Sequence, residues 1–152
     1  MEEAKGCVLV FTCNKCPYSV AYEDRLIELD KKYKELGYPM VAINPNDPEV
    51  VPEDSYEAMV VRSEEKGFTF PYLFDETQEV AKKYGAVCTP DFFGYNKNLE
   101  LQYRGRIREL NNLVPVKDGD SDLKIAMELI AKSGKGPTKQ IPSMGCNIKW
   151  FK

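Results

Sequence analysis

The sequence contains no histidine and, among its 152 residues, only five cysteines. The missing imidazoles remove a common zinc ligand, and a structural zinc site needs four donors in a tetrahedron. Cys13 and Cys16 would make half of such a site. Cys7, Cys88 and Cys146 are scattered singly and supply no second pair. No apolar run approaches the length of a membrane span, and no basic region followed by an apolar one marks a secretory signal. Positive charge is not in excess either. A net charge of −3 and a pI near 5.2 leave no electrostatic footprint for nucleic acid or an acidic membrane. An odd cysteine count argues against a fully paired secreted scaffold. A reducing cytoplasm is the expected location, although an export segment upstream of the first residues would escape this reading.

What is present is an ordinary globular composition, 43% apolar and 30% charged, long enough to bury a core. Its distinctive stretch is Cys13-Asn14-Lys15-Cys16-Pro17. It follows the apolar run Val8–Thr12, which suits a strand covered on both faces. Tyr22, Leu26, Leu29, Tyr33 and Leu36 then recur at helical spacing, and Gly37 offers a C-terminal cap. Two cysteines at a strand-to-helix junction describe a redox dithiol. The first turn of a helix carries unpaired N–H groups and about half a positive charge, which lowers the pKa of a thiol placed there. Lys15 adds charge of the same sign, and Pro17 suits the first helical position. The expectation is Cys13 as the exposed attacking thiol and Cys16 as its buried partner. A thiolate module holding a soft metal, with Cys88 or Cys146 as a third donor, is the non-enzymatic alternative; no metal or other cofactor is otherwise expected.

Further along, residues 38–43 read as a second strand and Asn44–Pro48 as turn chemistry. Asp54-Ser55 opens a helix running to Gly67. Residues 70–74 form a short strand, and Asp75 caps a helix through Tyr84. Asp91–Tyr95 and Leu99–Arg106 flank a hairpin loop at Asn96-Lys97-Asn98. Residues 111–120 read as loop, and Asp120 or Ser121 opens a last helix with Leu123, Met127 and Ile130 inward. Residues 135–152 look irregular yet carry Ile141, Met144, Cys146, Ile148, Trp150 and Phe151, too much apolar surface for a solvated tail. The tail is expected to pack back on a domain of residues 1–134.

This β-α-β-α-β-α-β-β-α order, an α/β arrangement with a central mixed sheet, helices on both faces and a C-terminal antiparallel hairpin, resembles the thioredoxin fold over about residues 7–133. The resemblance implies a cis-proline before the hairpin, at Thr89-Pro90, where exposed backbone would bind an extended substrate. The extra helix–strand unit around residues 46–80 is characteristic of the branch holding peroxiredoxins and the thiol-disulfide oxidoreductases of cytochrome maturation. FTCNKCPY, AVCTPDFF, YRGRI and the terminal GCNIKW together are similar to a peroxiredoxin-like thioredoxin family of the alkyl hydroperoxide reductase / thiol-specific antioxidant superfamily. Such proteins usually carry an N-terminal hairpin that this chain lacks. The resemblance implies either thiol–disulfide exchange with a protein or small-thiol disulfide, renewed by a thiol reductant, or reduction of hydroperoxides through a sulfenic acid. The peroxiredoxin pattern PxxxTxxC would place its cysteine at Cys16, its threonine at Cys13 and its proline at Leu9. Neither of the last two matches, which favours exchange. Cys88 and Cys146 are candidate auxiliary thiols, Cys146 as an extra resolving one. Oligomeric state is not legible.

Overall fold

The run ending at Phe11 becomes the middle strand of the sheet because its residues are apolar on both sides. A computed structural model describes residues 6–107, 110–111, 114–115, 122–143 and 145–151. β1 (Gly6–Phe11) leads into α1 (Pro17–Leu36), then β2 (Met40–Asn44), a short 3-10 turn (Pro52–Asp54), α2 (Tyr56–Lys66) and β3 (Tyr72–Phe74). α3 (Glu79–Tyr84), β4 (Cys88–Thr89), β5 (Asp91–Asn96) and β6 (Leu101–Gly105) follow. The two-residue strands β7 (Leu110–Asn111) and β8 (Val114–Pro115), α4 (Asp122–Ser133) and β9 (Cys146–Asn147) complete the order. The main sheet runs β3-β2-β1-β5-β6, parallel through its first three strands and antiparallel through the last two. This is the mixed, thioredoxin-like α/β architecture expected.

Strand alternation divides the core. Val8, Val10, Met40, Ala42 and Phe92 face Tyr22, Leu26 and Tyr33 of α1 and Leu123, Met127 and Ile130 of α4. On the other face, Phe11, Ile43 and Phe93 meet Ala81, Ala86 and Ile148 of the tail. Full burial of one such side chain is worth about 1.5–3 kcal/mol. Gly37 ends α1 in the left-handed region, its φ of 91° suiting a residue without Cβ.

Several local expectations change. Asp30, whose i,i+4 spacing with Lys34 suits an exposed helix face, is instead fully buried, and it binds Lys34 at 3.0 Å and the Thr69 hydroxyl at 2.6 Å. Ser55, not Asp54, caps α2, its Oγ accepting the Ala58 N–H at 3.2 Å. α3 starts at Glu79, although the Asp75 carboxylate still caps it through the Ala81 N–H at 2.8 Å. Residues 111–120, read as loop, include β8 and the second residue of β7, which pair antiparallel. Asp120, Ser121 and Met144 lie outside the described residues.

Candidate functional site

Three sulfurs gather where β1 hands over to α1. The Thr12 N–H donates to the Ile43 carbonyl at 2.8 Å, extending the sheet one residue before the chain turns. Asn14 anchors the turn: its N–H donates to Asp54 Oδ1 at 2.6 Å and its Nδ2 to the Glu53 carbonyl at 2.8 Å. Its Oδ1 accepts the Tyr72 hydroxyl at 3.0 Å. The segment between β2 and α2 therefore forms the back wall of the CxxC loop. Cys16 takes the N-cap of α1, with Pro17 directly behind it.

Cys13 is not the exposed thiol expected from sequence: it is 4% accessible, against 6% for Cys16. Its Sγ lies 3.4 Å from Thr89 Oγ1 and 3.7 Å from Ser19 Oγ, and accepts the Cys16 N–H at 3.4 Å. Burial pushes this thiol's pKa up, and the buried Asp54 carboxylate adds to the rise. Hydrogen bonds with Thr89, the Cys16 amide and Ser19 pull the other way without cancelling it. The expected depression is thus reversed, because desolvation and a nearby anion outweigh these hydrogen bonds. Lys15 does not restore it. Its ammonium pairs with Glu53 at 2.9 Å, both side chains being more than half exposed.

Cys16 is bonded to Cys146, not to Cys13, across a sequence separation of 130 and a Cα–Cα distance of 6.2 Å. Cys13, Cys7 and Cys88 are free. β9 brings Cys146 into place by pairing antiparallel with β4, Thr89 opposite Cys146 and Cys88 opposite Asn147. The Thr89–Pro90 bond is cis. Thr89 touches both sulfurs of the motif, its hydroxyl at Cys13 and its carbonyl 3.4 Å from Cys16 Sγ. Strand alternation turns Cys88 away from them, toward Asp91, Arg104 and Ser143. Burial and Asp91 push its thiol up to about 11.

The tail is held by more than its sulfur. The buried Gln78 donates to the Lys149 carbonyl at 2.9 Å and the Pro45 carbonyl at 2.8 Å, and accepts the Phe151 N–H at 2.9 Å. Asn46 Oδ1 accepts the Lys149 N–H at 2.9 Å, and the Ile148 N–H donates to the Val87 carbonyl at 3.1 Å. Ile148 is buried, whereas Ile141 and Phe151 stay exposed. Sequence reasoning missed Asp54, Ser19 and Tyr72 as site residues. Ser19 was findable, one helical turn beyond Cys16. Asp54 was not, since nothing local distinguishes a buried carboxylate from a capping one. Glu23, on the second turn of α1 beyond the motif, is buried and held by Arg62 Nε and Nη2 at 3.1 and 2.6 Å.

Among the described residues no group of three or more His, Cys, Asp or Glu is placed to hold a metal ion. Nor is any helix among them long and apolar enough to cross a membrane.

Residues 1–110 match the AhpC/TSA family. An uncharacterized conserved protein from Geobacillus kaustophilus is 41% identical with a TM-score of 0.89, covering 99% of this chain and 82% of that one. A hypothetical protein from Sinorhizobium meliloti 1021 is 37% identical with a TM-score of 0.88 over the same shares. A thiol:disulfide interchange protein DsbE from Chlorobium tepidum shares the fold at 18% identity and a TM-score of 0.63, covering 86% of this chain and 82% of its own. No curated protein matches. A thioredoxin fold, a family match over most of the chain and a cluster of three sulfurs converge: the chain belongs to the AhpC/TSA family and is a thiol-based redox protein.

Proposed function

We propose that the protein is a thiol–disulfide oxidoreductase in which Cys16 carries the exchanged disulfide and Cys13 and Cys146 serve to open it. The observation behind this reading is a Cys16–Cys146 bond lying beside the free thiol of Cys13. Cys16 caps the 20-residue α1, so a thiolate there meets the positive end of the helix. Cys13 sits beside the Asp54 carboxylate instead. The roles first assigned to the two motif cysteines are therefore exchanged.

In the reduced protein the Cys16 thiolate attacks one sulfur of a substrate disulfide R–S–S–R′. Cys16–S–S–R forms and R′–S⁻ departs, to be protonated by water. The Cys146 or Cys13 thiolate then attacks the Cys16 sulfur, R–S⁻ leaves, and the oxidising equivalent remains as an internal disulfide. Cys13 attack on the Cys16–Cys146 bond frees Cys146 and leaves Cys13–Cys16, a two-electron-neutral relay. A thiol reductant restores the three thiols. Sulfur of the chain does all the chemistry, no cofactor is required, and cytoplasmic reductants would suit the cycle.

One observation favours a second reading. Cys16 occupies the peroxidatic position of the family pattern, and it is the sulfur that Cys146 captures. A hydroperoxide would convert its thiolate to sulfenic acid with loss of alkoxide, and Cys146 would then expel water to give the same bond.

Insulin reduction driven by dithiothreitol tests the first reading. Wild type accelerates it, Cys16→Ser returns it to the uncatalysed rate, and a Cys13→Ser, Cys146→Ser chain accumulates mixed disulfides on Cys16. Full turnover by Cys16→Ser contradicts the scheme. Rapid consumption of hydroperoxide by wild type without insulin reduction selects the second reading.

A further inference from the structure

We infer that the tail is a resident copy of the substrate, so that the site takes an extended polypeptide of the pattern Gly-Cys-x-apolar. The inference rests on the exchange reading above and adds what that reading leaves open, the class of segment recognised. Four features of residues 145–148 carry it. Cys146 is already in disulfide linkage with Cys16, the bond that a substrate cysteine would form. Its strand runs antiparallel to β4 with Cys146 opposite Thr89, using the backbone edge immediately before the cis-proline. A Cβ placed on Gly145 would collide with the Thr89 carbonyl oxygen and lie 3.2 Å from Pro90 N, so this position admits no side chain without displacing backbone. Two residues after the cysteine, Ile148 is 4% accessible, in a cluster with Phe11, Phe93, Ala81 and Ala86. Its N–H continues the pairing by donating to the Val87 carbonyl.

Between these fixed points Asn147 is exposed, so the x position is unconstrained. Backbone pairing supplies affinity, and a slot at one position with an apolar pocket three residues on supplies selectivity. A substrate of this pattern must displace the tail, and the tail must return to resolve it. In that exchange the Cys16 thiolate attacks the substrate sulfur, and Cys146 later expels the substrate as a thiol. Electrons flow from the chain's two thiols to the substrate disulfide, with no other reactant.

The test uses the full-length chain carrying Cys13→Ser, Cys146→Ser and Gly145→Leu, which leaves Cys16 as the thiol in the cluster and excludes the chain's own tail. Circular dichroism establishes that it is folded. The probes are Ser-Met-Gly-Cys-Asn-Ile-Lys peptides bearing 2-nitro-5-thiobenzoate on cysteine, with Leu replacing Gly or Asp replacing Ile in two companions. Release of thionitrobenzoate gives the rate, and peptide mapping confirms the linkage at Cys16. The Gly peptide should react about tenfold faster or more than either companion, because the slot is closed to a side chain and the pocket to a charge. Equal rates for the three peptides overturn the inference. Free 5,5′-dithiobis(2-nitrobenzoate) serves as the control: if it too fails to react at Cys16, the exchange reading itself is what has failed. A second measurement needs only the Gly145→Leu chain, oxidised and mapped. The bond should move from Cys16–Cys146 to Cys13–Cys16, and persistence of Cys16–Cys146 contradicts the inference.

Discussion

The two cysteines of the motif stand three residues apart and live in different surroundings. Behind Cys13 lie Asp54, from the segment after β2, and Ser19, from α1, with Asn14 of the motif loop tied to Asp54. In front of Cys16 lies the C-terminal tail, joined by a disulfide, a two-residue strand and the Gln78 hydrogen bonds. The rear wall buries a thiol beside a carboxylate, and both push its pKa up. The front pairs a sulfur at a helix's positive end with a two-residue strand of the tail. A CxxC spacing thus fixes where two sulfurs sit, while the segments that wrap around them set the surroundings of each.

The largest expected effect falls on the front. Cys146→Ser removes a cross-link spanning 130 residues. Urea unfolding of the oxidised protein should lose about 2–4 kcal/mol, with the difference from wild type vanishing in dithiothreitol. Gln78→Ala strips the tail of its backbone anchors at Lys149 and Phe151, leaving buried groups unpaired. A loss of about 1–3 kcal/mol is expected, with faster amide exchange confined to the tail in the reduced protein. The rear responds differently. Asp54→Asn removes a negative charge beside Cys13, which favours the thiolate, so the alkylation profile of Cys13 should move to lower pH while that of Cys16 stays put. Lys15→Ala should do least, since its charge is already taken by Glu53 on the exposed surface. Stability should change by about 0–1 kcal/mol and Cys13 reactivity not at all. A large loss of Cys13 reactivity in Lys15→Ala would erase the contrast between the two sides.

Much of the frame was legible because it follows from periodic burial. The continuous apolar run of β1 and the stripe of Tyr22, Leu26 and Tyr33 specify their elements locally, and the inward Leu123, Met127 and Ile130 do the same for α4. The cis-proline at Thr89-Pro90 was implied by the resemblance to the thioredoxin fold. What escaped was set by distant chain. Cys146 was legible as an auxiliary thiol, but its pairing with Cys16 runs through two two-residue strands, too short to leave a sequence pattern. Asp54 looks like a helix cap until Asn14 and Asn46 close over it at 2.6 and 2.9 Å. Asp30 likewise reads as a surface ion-pair residue, and only Thr69 arriving from the far end of α2 reveals it as buried. Charge sign is readable from sequence; the dielectric around it is not.

Competitive alkylation of the fully reduced protein tests the asymmetry most directly. A brief pulse of iodoacetamide at neutral pH, followed by peptide mapping, should find Cys16 modified well before Cys13. Modification of Cys13 first, or of both at one rate, would mean that the helix end and the buried carboxylate do not divide the two sulfurs.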